Sequence, residues 1–189
     1  SGALSIPNGT VGNFEYTDTA LTVKPATYAN LTLGSAGTYT AAGSVIATGT
    51  LLISDAAGVL DLSGGAYNLN MSGGTLNNSG TIKIANGTIT DATTITSRGS
   101  WNFTTARDLP AWTNYSTLTL SGAVAYTAAG SITCANLTIS NASGTFTFGA
   151  SENLTVSSAI NNSGTITFNN GSLSLNTITN MGSWDFQTT

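Results

Sequence analysis

The chain repeats itself on two scales, and this constrains its fold more than any other feature. Tyr28-Ala-Asn-Leu-Thr-Leu33 returns as Tyr115-Ser-Thr-Leu-Thr-Leu120, and at the same offset Tyr39-Thr-Ala-Ala-Gly-Ser44 returns as Tyr126-Thr-Ala-Ala-Gly-Ser131. Further along, Asn77-Asn-Ser-Gly-Thr-Ile82 recurs as Asn161-Asn-Ser-Gly-Thr-Ile166, and Ile95-Thr-Ser-Arg-Gly-Ser-Trp101 as Ile178-Thr-Asn-Met-Gly-Ser-Trp184. The offset between matched segments shrinks along the block, as it does when turns shed residues and strands keep theirs. Inside each block a shorter period carries an apolar-polar-apolar anchor. Its apolar centres are Leu31, Leu51, Leu69 and Ile89, then Leu118, Leu137, Leu154 and Leu173, a nearly even series within each block.

Short alternating strands recurring about every 20 residues are the signature of a solenoid, in which each coil buries its apolar side chains against the next. The expected fold is all-β, a parallel β-solenoid (β-helix) of about 20 residues per coil, in two tandem blocks of about four coils each. An antiparallel β-sandwich also shows short strands between turns and is the alternative. It has no reason to repeat one anchor through both halves. The expected organisation is an N-terminal strand or arm over 1–12, open to exchange with a neighbour, and solenoid blocks over 13–101 and 102–184. Residues 185–189 read as the start of a further coil or a contact with the next subunit.

Composition agrees with an all-β chain. Ser, Thr, Asn and Gly number 22, 34, 19 and 22, together 97 of 189 residues, while charged residues are 6%. An average soluble domain carries about 25%. Threonine favours strands, glycine and asparagine favour turns, and the usual surface helix formers are scarce. Four Lys and Arg in the whole chain exclude a basic nucleic-acid face, and the absence of His excludes histidine catalysis and histidine metal ligation. No run of 18 apolar residues occurs, so no membrane span is expected. Cys134 has no cationic neighbour in sequence and reads as a small buried residue.

The run Tyr-Ala-Asn-Leu-Thr-Leu, then Thr-Ala-Ala-Gly-Ser, Asn-Leu-Thr-Ile and Asn-Asn-Ser-Gly-Thr-Ile resembles tandem repeats of large prokaryotic cell-surface proteins, the adhesin-like and autotransporter-like β-helix proteins. The resemblance covers roughly residues 28–189. It implies an exported parallel β-solenoid with a structural or adhesive role, and it transfers no catalytic residue.

The carboxylates are Glu15, Asp18, Asp55, Asp61, Asp91, Asp108, Glu152 and Asp185. Glycoside chemistry on a β-helix needs two of them facing each other, and neither block repeats an acid of the other. Asp55 reads as a turn former, Asp61 as outward-facing between Leu60 and Leu62, and Arg107-Asp108 as the one adjacent opposite pair. No catalytic residue, metal site or cofactor is expected, and the chain does not read as an enzyme; a polysaccharide-degrading β-helix enzyme is the remote alternative.

Twelve Asn-x-Ser/Thr triplets stand at Asn8, Asn30, Asn70, Asn77, Asn86, Asn102, Asn114, Asn136, Asn141, Asn153, Asn161 and Asn170, about double the five or six that chance gives for this composition. They are candidate glycosylation sites of an extracellular surface, or a reflection of composition. Thr-x-Thr pairs such as Thr145/Thr147 and Thr165/Thr167 fall at uneven steps and are expected on different faces. An aromatic motif punctuates the blocks as Gly-Asn13-Phe14, Gly-Ser-Trp101-Asn-Phe103 and Gly-Ser-Trp184-Asp-Phe186. It reads as core packing, or as a contact between subunits or with a sugar. Candidate assembly contacts are Leu4, Ile6, Val11, Phe14, Trp184 and Phe186.

The expected role is an extracellular structural subunit that stacks by its strand edges into a filament, sheath or surface layer, its partners being copies of itself. The alternative is an adhesin or stalk module at the cell surface that binds glycans or other surface proteins.

Overall fold

A computed structural model describes residues 10–19 and 21–187. Leu4, Ile6 and Asn8 lie outside the described residues. The described chain is all-β and divides into two units, one ending at Gly99 and one starting at Ser100. Each unit is a parallel β-solenoid, and every strand pair described in them is parallel. A sandwich, which needs antiparallel pairing, is thereby excluded.

The first unit holds β1 (Thr10–Tyr16), β2 (Thr22–Val23), β3 (Ala26–Leu33), β4 (Gly37–Ala41), β5 (Val45–Ala47), β6 (Thr50–Ile53), β7 (Gly58–Leu62), β8 (Leu69–Asn70), β9 (Thr75–Asn78), β10 (Thr81–Ile84), β11 (Ile89–Thr90) and β12 (Thr94–Ser97). β1 lies on β3, and two columns descend from β3: β5–β8–β11 from its first half and β6–β9–β12 from its second. A second wall runs β2–β4–β7–β10. The second unit holds β13 (Ser100–Phe103), β14 (Arg107–Leu109), β15 (Tyr115–Leu120), β16 (Ala125–Ala128), β17 (Ile132–Ile139), β18 (Thr145–Phe148), β19 (Leu154–Asn162), β20 (Thr165–Asn169), β21 (Leu173–Asn180) and β22 (Ser183–Gln187). Its walls are β13–β15–β17–β19–β21 and β14–β16–β18–β20–β22.

Alternation decides what faces in. In β6, β10 and β18 every second residue is buried and the residues between are half-buried Thr, Leu or Lys. Leu31, Leu51 and Leu76 stack in one column with no exposure, as Leu118, Leu137 and Ile160 do in the second unit. Burying each such side chain contributes about 1.5–3 kcal/mol.

The anchors do not stack in the order their even spacing suggests. Leu51 is followed in its column by Leu76, while Leu69, the next anchor along the chain, stacks instead on Val45. Likewise Leu137 is followed by Ile160, while Leu154 stacks on Ile132. The reason lies in the corners. The corner between β4 and β5 takes residues 42–44 and that between β7 and β8 takes 63–68, while 129–131 gives way to 149–153 in the second unit. The longer loops shift the numbering without disturbing the stack. The Thr pairs depart from expectation too: Thr145 and Thr147 lie directly on Thr165 and Thr167, with Thr127 stacked on Thr147.

Among the described residues the asparagines Asn78 and Asn162 are wholly buried, and they are equivalent residues of the two blocks. Each donates through Nδ2 to the backbone of the next coil, Asn78 to the Arg98 carbonyl at 3.0 Å and Asn162 to the Met181 carbonyl at 3.1 Å. Asn162 also donates to the Ser183 carbonyl at 3.2 Å and accepts from the Gly164 N–H at 2.9 Å. Neither was among the sequence candidates. The signal was present, because Asn78 falls two residues after Leu76 and so in the inward phase of its strand.

Candidate functional site

The aromatic motif occupies three strands, β1, β13 and β22, and the register extends its first copy to Tyr16. Phe14 and Tyr16 lie on Leu31 and Leu33 of β3, and Trp101 and Phe103 lie on Leu118 and Leu120 of β15. Because β3 and β15 are the same repeated segment, β1 and β13 play one role in their units. Each covers the repeat that follows it.

A tyrosine closes both copies in the same way. The Tyr126 hydroxyl accepts the Gly122 N–H at 2.8 Å and donates to the Phe103 carbonyl at 2.9 Å. The Tyr39 hydroxyl accepts the Ser35 N–H at 2.9 Å and has two carbonyls as acceptors, that of Ser35 at 3.0 Å and that of Tyr16 at 3.4 Å. Trp101 is wholly buried and stacks on Phe103 with ring centroids 5.9 Å apart, whereas Phe14 is only half-buried. Surface depressions of about 240 and 440 Å³ flank β1, both lined by Phe14 and Glu15.

The third copy has a neighbour on one side among the described residues. In β22, Trp184 lies on Ile166 and Phe186 on Phe168 of β20, which continues a run of nearly parallel rings: Phe148 and Phe168 are 4.8 Å apart, and Phe168 and Phe186 are 5.5 Å apart. Phe148 and Phe168 are buried, but Phe186 is 59% exposed. Ile178 of β21 and Met181 after it are 43% and 60% exposed, whereas Ile160, one coil back in the same column, is fully buried. Among the described residues β22 is bonded only to β20, and its other edge carries no strand. The Trp184 Nε1 is buried and has no acceptor among the described residues. Of the sequence candidates, Phe14, Trp184 and Phe186 thus fall on equivalent motif strands, while Val11 is half-buried on Tyr28 in β1.

Several charged residues are occupied with local structure. Asp61 binds Lys83 across neighbouring rungs at 3.0 Å, and Asp91 binds Arg98 at 3.1 Å. Burial alone would raise the Asp61 carboxyl, but hydrogen bonds from Ser63 and the Lys83 ammonium outweigh it and hold the group below its ordinary value. Asp55 accepts the Ala57 N–H and Glu152 the Gly149 N–H, both as turn formers. Asp108 is exposed, while the Arg107 guanidinium turns over the Phe103 ring at 5.0 Å from its centroid. Among the described residues no three Cys, Asp or Glu side chains converge on one point. Cys134 is buried, and burial pushes its thiol up to about 12.

The sequon asparagines carry structural work of their own. Asn70 and Asn141 each accept the N–H two residues on, from Ser72 and Ser143, and that serine is the third residue of the triplet. An Asx turn therefore selects the same spacing as a sequon. Asn30 and Asn153 accept from Thr50 and Ser172 of the next coil, and Asn102 from the Ser121 hydroxyl. Asn30, Asn70, Asn77, Asn102, Asn136 and Asn141 are half-buried; Asn86, Asn114, Asn153, Asn161 and Asn170 are exposed.

No family model matches the chain, no curated protein matches it, and no solved structure matches it.

Proposed function

We propose that this protein is an extracellular structural subunit that stacks end to end with copies of itself, building a filament, sheath or surface layer. One observation carries the reading. The coil formed by β21 and β22 leaves Ile178 and Phe186 exposed where Ile160 and Phe168, one coil back, are buried, and among the described residues β22 is paired on one edge alone. An edge of free N–H and C=O groups flanked by apolar side chains is a template for another strand. Head-to-tail contacts propagate into an open polymer wherever the rotation from copy to copy does not close a ring.

The surface composition supports assembly outside the cell. With 6% charged residues and a formal charge of −4, the chain has little of the like-charge repulsion that keeps soluble monomers apart. Hydroxyl-rich walls and twelve sequons fit a surface protein.

Sedimentation velocity with negative-stain microscopy tests the reading. Ordered polymers are expected to form as concentration rises, and Phe186→Asp is expected to leave monomer. Monodisperse monomer at every concentration overturns it.

A further inference from the structure

Independently of the assembly reading, we infer a modification site that the chain makes for itself: Asn86 loses its side-chain amide to attack by the Gly87 nitrogen and becomes an aspartyl or isoaspartyl residue.

The fold itself calls for this dipeptide. Asn86 and Gly87 form the corner ahead of β11, where Gly87 is buried so closely on the previous coil that a Cβ would run into the Tyr67 carbonyl. Glycine alone fits that approach. The equivalent corner ahead of β21 carries the same pair, Asn170-Gly171, and there a Cβ would run into the Glu152 carbonyl. Both corners lead into the same bond between coils, from the Thr88 N–H to Asn68 Oδ1 at 2.8 Å and from the Ser172 N–H to Asn153 Oδ1 at 2.9 Å.

A glycine after asparagine also leaves the amide open to attack, because no side chain shields the following nitrogen. At Asn86 both reacting groups are uncommitted. The asparagine is exposed and lies outside the strands, and among the described residues neither its amide nor the Gly87 N–H has a hydrogen-bond partner. Asn78 and Asn162 are the opposite case. Both are wholly buried and followed by serine, and each Nδ2 is bonded to a backbone carbonyl.

The chemistry needs water alone. The Gly87 nitrogen bonds to Asn86 Cγ, the Cγ–Nδ2 bond breaks, and the Gly87 amide proton leaves with the departing nitrogen as ammonia. Water then opens the five-membered succinimide at either carbonyl, giving the aspartyl or the isoaspartyl product. Each product adds one carboxylate, taking the formal charge from −4 to −5, and each ends the Asn86-Gly-Thr88 triplet as a sugar acceptor. The isoaspartyl form also lengthens the main chain by one carbon just ahead of Thr88, whose N–H is held by Asn68 and whose carbonyl accepts the Leu69 N–H.

Trypsin makes the site readable. Cleavage after Lys83 and Arg98 releases residues 84–98, in which Asn86 is the sole Asn or Gln. Sugar-free chain is kept folded at neutral pH, digested after increasing times and followed by mass spectrometry, beside free 84–98 peptide under the same conditions. The peptide from the folded chain is expected to gain the mass of an amide-to-acid change and to resolve into aspartyl and isoaspartyl forms. Its rate is expected to lie no more than an order of magnitude below that of the free peptide, with Asn78 and Asn162 still amides in the same digests. A larger shortfall overturns the inference, because the folded corner then holds the nitrogen away from Cγ. Conversion of Asn78 and Asn162 as fast as Asn86 overturns it too, because the reaction then belongs to unfolded chain.

Discussion

Asn162 and Gly182 lie one coil apart and share one space: a Cβ on Gly182 would sit 2.5 Å from the Asn162 carbonyl oxygen and 2.8 Å from its Cγ. The glycine has φ +49°, and the asparagine bonds the carbonyls on both sides of it, those of Met181 and Ser183. The first unit repeats the arrangement with Asn78 under Gly99, at φ +59° and 2.5 Å. Two motifs that look unrelated in sequence, Asn-Asn-Ser-Gly and Gly-x-Trp, are therefore the two halves of one contact.

That contact sets a first expectation. Gly182→Ala forces a left-handed backbone on a side chain and a clash with backbone, so it is expected to cost more than the ~1 kcal/mol of backbone strain alone. Asn162→Ala removes the partner of the buried Gly164 N–H and of the Met181 and Ser183 carbonyls, at about 1–3 kcal/mol. Because the residues touch, the double variant is expected to be less destabilised than the sum. Urea unfolding of the four proteins checks the cycle.

The two tyrosine closures are expected to be worth similar amounts. Tyr126→Phe deletes bonds of 2.8 and 2.9 Å and is expected to cost about 1–2 kcal/mol. Tyr39→Phe deletes contacts of 2.8, 2.9 and 3.0 Å to Ser35 besides the 3.4 Å contact to the Tyr16 carbonyl and is expected to cost as much. Urea midpoints of the two variants check this, and a negligible loss at either overturns the role of its hydroxyl.

Alkaline pH should unfold the protein. Burial raises the Tyr28 and Tyr126 phenols and the Cys134 thiol, with a hydrogen bond to Tyr16 adding to the shift at Tyr28. Each group holds its proton more tightly when folded. Its contribution is whole below the unfolded value, about 8.5 for Cys and 10 for Tyr, and is lost as pH climbs toward the folded value. Urea midpoints are expected to fall steadily above about pH 9, and Cys134→Ala to delay the onset. Native Cys134 is also expected to resist alkylation at pH 8 and to react fully in urea.

Glycan occupancy in material from the native source is expected to follow amide exposure. Asn86, Asn114, Asn161 and Asn170 are exposed and should carry sugar, whereas Asn30 and Asn102, half-buried and bonded across coils, should remain bare. Peptide mass spectrometry checks each site.

Much of this architecture was legible beforehand, and the physical reason is locality. Which of Leu60, Asp61 and Leu62 faces inward follows from strand alternation, and the turn role of Asp55 follows from its reach to the N–H two residues on. The recurrence of Tyr28 at Tyr115 and of Tyr39 at Tyr126 told which segments share a structure, since equal sequence at equal spacing packs equally. Stacking order was not local. Leu51 meets Leu76 and not Leu69 because a corner lengthened by a few residues shifts the count while leaving the core unchanged. Nor does any short stretch announce that Asn162 belongs to Gly182, a full coil further along the chain, or that Phe14 and Trp101 lie on the equivalent leucines Leu31 and Leu118. Those relations exist only when coils lie on one another. The repeat pointed to a solenoid with its in-and-out pattern and left a sandwich as the alternative; the tertiary structure decided for parallel pairing and fixed which coil covers which.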